Sequence, residues 1–70
     1  MEKFEYYIKE IHPSDFFNSE LDILKVLRKK FKNLKFISKG DKILVEGNQE
    51  QILKSCIILD SLVYFIKKNQ

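Results

Sequence analysis

The sequence predicts an α+β domain in which a three-stranded antiparallel sheet carries helices on one face. Three observations lead there. Residues near the N-terminus alternate apolar and polar with a period of two, two later stretches repeat apolar residues at helical spacing, and two short β-rich runs flank a glycine turn. The order is β-α-β-β-α, with room for a short helical turn after the first strand.

Strand one is expected over Phe4 to Ile11, where Phe4, Tyr6 and Ile8 face one way and Glu5, Tyr7 and Lys9 the other. Aromatic and β-branched residues suit a half-buried strand. His12-Pro13 ends it, because proline cannot donate to a ladder and pushes its predecessor to extended geometry. Pro13 then opens a short turn through Ser14 to Phe17.

The first long helix starts at Asn18 and Ser19, both good caps, and Ser19 with Asp22 has the spacing of a capping box. Leu21, Leu24, Leu27 and Phe31 form its predicted buried stripe, with Ile23 at the edge. Acids open this helix, and Arg28, Lys29 and Lys30 close it, in the sense that the helix macrodipole favours.

Leu34 to Ser38 and Ile43 to Glu46 read as strands two and three, joined by Lys39-Gly40-Asp41-Lys42. Gly40 supplies the positive φ a tight hairpin needs. Gly47 and Asn48 stop the third strand and cap a final helix from Gln49 to about Lys67. In an antiparallel sheet the third strand can then lie between the first two, and the uncovered face carries Tyr7, Leu44 or their neighbours.

That last helix is apolar on more than one side. Ile52, Cys56, Leu59, Val63 and Ile66 form the stripe expected on the sheet, Ile58, Leu62 and Phe65 form a second, and Ile57 and Tyr64 lie on a third. So small a sheet cannot cover all of them. Ile58, Leu62, Tyr64 and Phe65 are therefore the candidate protein-interaction residues.

Seventy residues make one domain, near the lower limit for a core without staples. A single cysteine excludes an intrachain disulfide and fits a reducing compartment. The N-terminus lacks an apolar signal region, and no apolar run is long enough to span a bilayer. The expectation is a soluble cytoplasmic domain with no membrane partner.

Charge is uneven along the chain. The net charge is only +3, but residues 1–20 hold two lysines and five acids, residues 21–39 seven basic groups and Asp22, and residues 40–70 four of each sign. The basic stretch KVLRKKFKNLKFISK interleaves its charges with leucine and phenylalanine. Lys25, Arg28, Lys29, Lys32, Lys35 and Lys39 are the candidate phosphate contacts, with counterion release as the driving force. The competing explanation is a solvated rim, since the macrodipole and hairpin-edge protection account for part of the charge.

Catalytic and metal-ligating constellations do not emerge. His12 is the only histidine, Cys56 lies on a buried stripe, and the acids converge on no predicted face. Gly40 and Gly47 are the only glycines, and neither precedes the Lys-Ser or Lys-Thr of a phosphate-binding P-loop. The chain is read as non-enzymatic, with no cofactor of its own.

The run HPSDFFNSELDILKVLRKKF, followed by NLKFISKGDKILVEGNQEQI and an amphipathic helix, resembles the N-terminal domain of phosphate-starvation-inducible PhoH-like proteins, especially the Bacteroidota-type sequences. The resemblance covers residues 11–68. It implies a small KH-like fold in front of a P-loop ATPase domain, cytoplasmic and linked to RNA, with ATP and Mg expected only in that further domain. Partners implied are RNA, the ATPase domain of the same parent chain and, through the last helix, a possible homo-oligomer. One departure stands out: where a KH domain clamps the backbone with GxxG, this chain reads Phe17-Asn18-Ser19-Glu20, so the loop is degenerate.

Overall fold

The computed structural model describes residues 1–12, 14, 16 and 23–69. Strands β1 (Glu2–Tyr7), β2 (Lys35–Lys39) and β3 (Lys42–Gly47) and helices α1 (Ile23–Lys30) and α2 (Gln49–Lys68) follow in the order β1-α1-β2-β3-α2. The sheet is antiparallel with β3 in the centre, flanked by β1 and β2. The fold class and the central third strand are as the sequence predicts.

The hairpin sets the register. Gly40 takes φ +60° at the first central position of the two-residue loop, as in a II′ turn, and Lys39 faces Lys42 across it. Gly47 ends β3 with φ +150° and is buried so closely against Leu34 that a Cβ there would collide with the Leu34 side chain. Strand and loop meet at backbone distance.

β1 differs from its predicted span, beginning at Glu2 and ending at Tyr7 rather than running from Phe4 to Ile11. The reason is the length of its partner. Pairing with β3 runs out at the hairpin, where the Ile8 amide makes a last bond to the Asp41 carbonyl at 2.9 Å. Beyond it Ile8 and Ile11 are still buried, as the chain turns over the core. Ser14 and Phe16 are helical, and the Phe16 amide donates to the His12 carbonyl at 3.4 Å, whereas Pro13, Asp15 and Phe17 of the expected turn lie outside the described residues. Phe16 plugs the core at 1% exposure.

The predicted caps Asn18 and Ser19, the Ser19–Asp22 box, Leu21 and the Phe17–Glu20 segment lie outside the described residues. Within α1, Ile23 and Leu27 are buried and Leu24 only partly so. The stripe therefore runs Ile23–Leu27–Phe31, keeping Leu27 and Phe31 of the predicted series and taking Ile23, expected at its edge, in place of Leu24. Phe31 continues it by donating its amide to the Leu27 carbonyl at 2.8 Å.

α2 begins as expected, with Asn48 Oδ1 accepting from the Glu50 and Gln51 amides at 2.8 and 3.3 Å. Its buried residues are Ile52, Ser55, Leu59 and Val63. Ser55, rather than Cys56, sits at the centre of the packed side. Its hydroxyl is satisfied inside the helix by the Ile52 carbonyl at 2.7 Å, so a small polar side chain can be buried at little cost. The helices close over Phe36, Ile43 and Val45 on one sheet face.

Candidate nucleic-acid interface

Six basic residues were singled out by sequence, and the structure divides them across β2. Lys25, Arg28 and Lys29 lie on α1 and Lys32 follows it, all exposed. Lys35 and Lys39 belong to β2 itself and flank Ile37 on the face opposite the helices, because the intervening Phe36 is buried under them. The candidate site thus wraps an edge strand instead of forming one flat patch.

Arg28 has a second role. Its Nη2 donates to the Phe36 carbonyl at 2.9 Å in a partly buried contact, tying α1 to the edge of β2. A charge-assisted bond of this kind orients the helix end. Arg28 is therefore a packing residue as well as a cation, which sequence spacing could not reveal.

The uncovered sheet face has three rungs across β2, β3 and β1: Lys35, Glu46 and Lys3; Ile37, Leu44 and Glu5; Lys39, Lys42 and Tyr7. Its ion pairs join Lys3 to Glu46 at 3.9 Å and Lys42 to Glu5 at 2.8 Å, and neither pair includes Lys35 or Lys39. Lys39 stands directly opposite Lys42, an unfavourable pairing of like charges. Lys35 and Lys39 thereby put two positive charges at the β2 side of the face.

At the β1 side the charges are satisfied locally. Glu5 Oε2 accepts from Lys42 Nζ and from the Tyr7 hydroxyl at 2.7 Å, and Lys42 also lies 5.6 Å from the Tyr7 ring centroid. The hydrogen bond from Lys42, then that from Tyr7, holds the Glu5 carboxyl below its ordinary range, while the same contacts push Lys42 and Tyr7 up. Tyr7 is 45% exposed beside this network, so an aromatic ring is available next to the lysines.

The helix-side interaction candidates also separate. Tyr64 and Phe65 are exposed at 62% and 57%, whereas Ile58 and Leu62 are partly buried against the protein's own core. Sequence reasoning left out Leu53, which is exposed one turn before Ile57 on the outer side of α2. Its i, i+4 spacing to Ile57 was the available signal. Leu53, Ile57 and Tyr64 make the outward apolar stripe.

His12, Cys56 and Tyr6 each have a local setting. His12 Nδ1 is held by Ser14, whose amide lies at 3.2 Å and hydroxyl at 2.6 Å, so the ring caps the helical turn. Burial pushes the Cys56 thiol up, the opposite of what activates a nucleophile. The Tyr6 hydroxyl donates to Asp60 Oδ1 at 2.6 Å, and burial together with this bond drives its ionisation far above the ordinary range. Among the described residues no helix is long and apolar enough to cross a membrane.

No protein-family model matches the chain, and no curated protein or solved structure is significantly similar to it.

Proposed function

We propose that this is a non-catalytic, KH-like binding domain that contributes affinity for single-stranded nucleic acid, with the basic side chains around β2 meeting the phosphates. The observation that supports it is the placement of cations on both sides of one edge strand: Lys25, Lys29 and Lys32 on the helix side, Lys35 and Lys39 on the open face. A backbone laid along β2 would meet charge from both directions. Tyr7, Ile37 and Leu44 offer bases a partly apolar floor. On the PhoH-like resemblance, the domain would serve a P-loop ATPase whose ATP and Mg chemistry resides in another part of the parent chain.

Binding of labelled single-stranded RNA across a salt series tests this. Affinity should fall with salt at a slope of about −0.7 per phosphate contacted. Lys29→Glu combined with Lys32→Glu and Lys35→Glu should weaken binding by more than about tenfold at low salt. Arg28 is left unchanged because it holds the Phe36 carbonyl. An affinity indifferent to these reversals, or none at low salt, overturns the proposal.

A second reading, an interaction module, is favoured by one observation: Leu53, Ile57, Tyr64 and Phe65 stay exposed on α2. In that reading the helix docks on another protein, such as the parent ATPase domain, and the lysines only solvate.

A further inference from the structure

The two edges of the sheet are built differently. On β2 the Phe36 carbonyl, directed away from β3, is taken by Arg28, and Lys35 and Lys39 guard the strand. On β1 the bond from the Ile8 amide to the Asp41 carbonyl fixes the alternation of the ladder. Glu2, Phe4 and Tyr6 therefore bond to β3, and Lys3, Glu5 and Tyr7 turn their backbone groups outward. Beside them a cleft of about 640 Å³ separates β1 from α2, lined by Phe4, Tyr6, Val63 and Tyr64 among others. Phe4 is on the helix-facing side of the sheet and is still 46% exposed.

We propose that this edge is completed by a second copy of the same chain, β1 against β1, antiparallel about a two-fold axis at Phe4, so that two three-stranded sheets become one. The register follows from charge. Partners across an antiparallel pair share a face, so the two-fold axis must pass through a residue. Centred on Lys3 or on Glu5, the pairing opposes like charges. Centred on Phe4, it sets Lys3 of each copy opposite Glu5 of the other, in hydrogen-bonded positions, and places the two Phe4 rings side by side over the clefts. The rung Lys35–Glu46–Lys3 then continues into Glu5 of the second copy with alternating sign.

An isologous contact of this kind needs one self-complementary strand and no other partner. It covers the outward backbone groups of Lys3 and Glu5, and it draws Tyr64, on the rim of the same cleft, toward the seam. The surface is separate from the lysines around β2. Its fate is independent of whether nucleic acid binds.

Sedimentation equilibrium of the 70-residue chain is the test, with circular dichroism confirming that each variant folds. The chain should show a reversible monomer–dimer equilibrium. Lys3→Glu and Glu5→Lys should each weaken the dimer about tenfold, and the two together should restore it. Phe4→Cys in a Cys56→Ser background should cross-link the copies on mild oxidation, since the facing Cα atoms of such a pair lie about 4.5 Å apart. A chain that stays monomeric, a dimer indifferent to both charge reversals, or one lost on Leu53→Glu instead overturns the pairing.

Discussion

Phe4 and Phe36 stand on the same rung of the sheet, on either side of Val45, and point to the same face. Phe36 is 3% exposed and Phe4 46%. Residue type, strand position and sheet face are shared, so the difference comes from the helix layer. α1 lies against β2 and fastens to it through Arg28, and Phe31 adds a tilted ring contact to Phe36 at 6.5 Å between centroids. α2 crosses β3 and β1 without roofing Phe4 and leaves a cleft beside it. A period-two pattern tells which face a side chain takes, and the neighbouring layer decides whether that face is covered.

The largest expected effect breaks or upholds this comparison directly. Phe36→Ala should cost about 3–5 kcal/mol, because it empties a closed site in a small core. Phe4→Ala in dilute, monomeric protein should cost under about 1 kcal/mol, since much of the ring already faces water. Urea unfolding of both variants gives the two numbers. Equal losses would mean that the cleft beside β1 closes in solution.

Next in size is the clasp on the guarded edge. Arg28→Ala removes a charge-assisted bond to the Phe36 carbonyl and should lower stability by about 1.5–3 kcal/mol. Lys29→Ala, exposed on the same helix, should change it by less than about 0.5 kcal/mol. The ratio separates packing cations from surface ones. Should both cost the same, Arg28 would be an ordinary surface charge and the β2 edge no better protected than β1.

What could be read beforehand followed local chemistry. The Gly40 turn, the Asn48 cap, the basic helix ends and the alternation in β1 are set by neighbours in sequence, and the turn pairs β2 with β3. Two features depend on distant partners and stayed hidden. β1 stops at Tyr7 because its partner β3 begins opposite it at Lys42, and the α1 stripe settles on Ile23 instead of Leu24. Ser55 takes the buried place expected of Cys56, with its hydroxyl bonded one turn back to the Ile52 carbonyl. The candidate site divided the same way: clustering of lysines was visible, but the strand that separates them into two faces, and the bond that occupies Arg28, were not.

The smallest expected effect concerns Glu5, the acid of the bare edge. Its carboxyl is lowered from an ordinary value of 4.5, first by the Lys42 hydrogen bond and then by that from Tyr7. A lowered carboxyl contributes stability above its unfolded value and loses it as the pH falls through the folded one. Lys42 and Tyr7 are raised, so their contributions hold below 10.5 and 10.0 and vanish as the pH climbs through their folded values. Carbon-detected NMR titration should find the Glu5 midpoint below 4.5 and moving up toward it in Lys42→Ala. In the paired register Lys3 of a second copy would approach the same carboxyl, adding another cation to its surroundings. The midpoint should therefore fall further as protein concentration rises, and that extra drop should disappear in Lys3→Glu. A midpoint independent of concentration across the dimerisation range would leave Glu5 serving its own sheet alone, and would make β1 an edge that stays open.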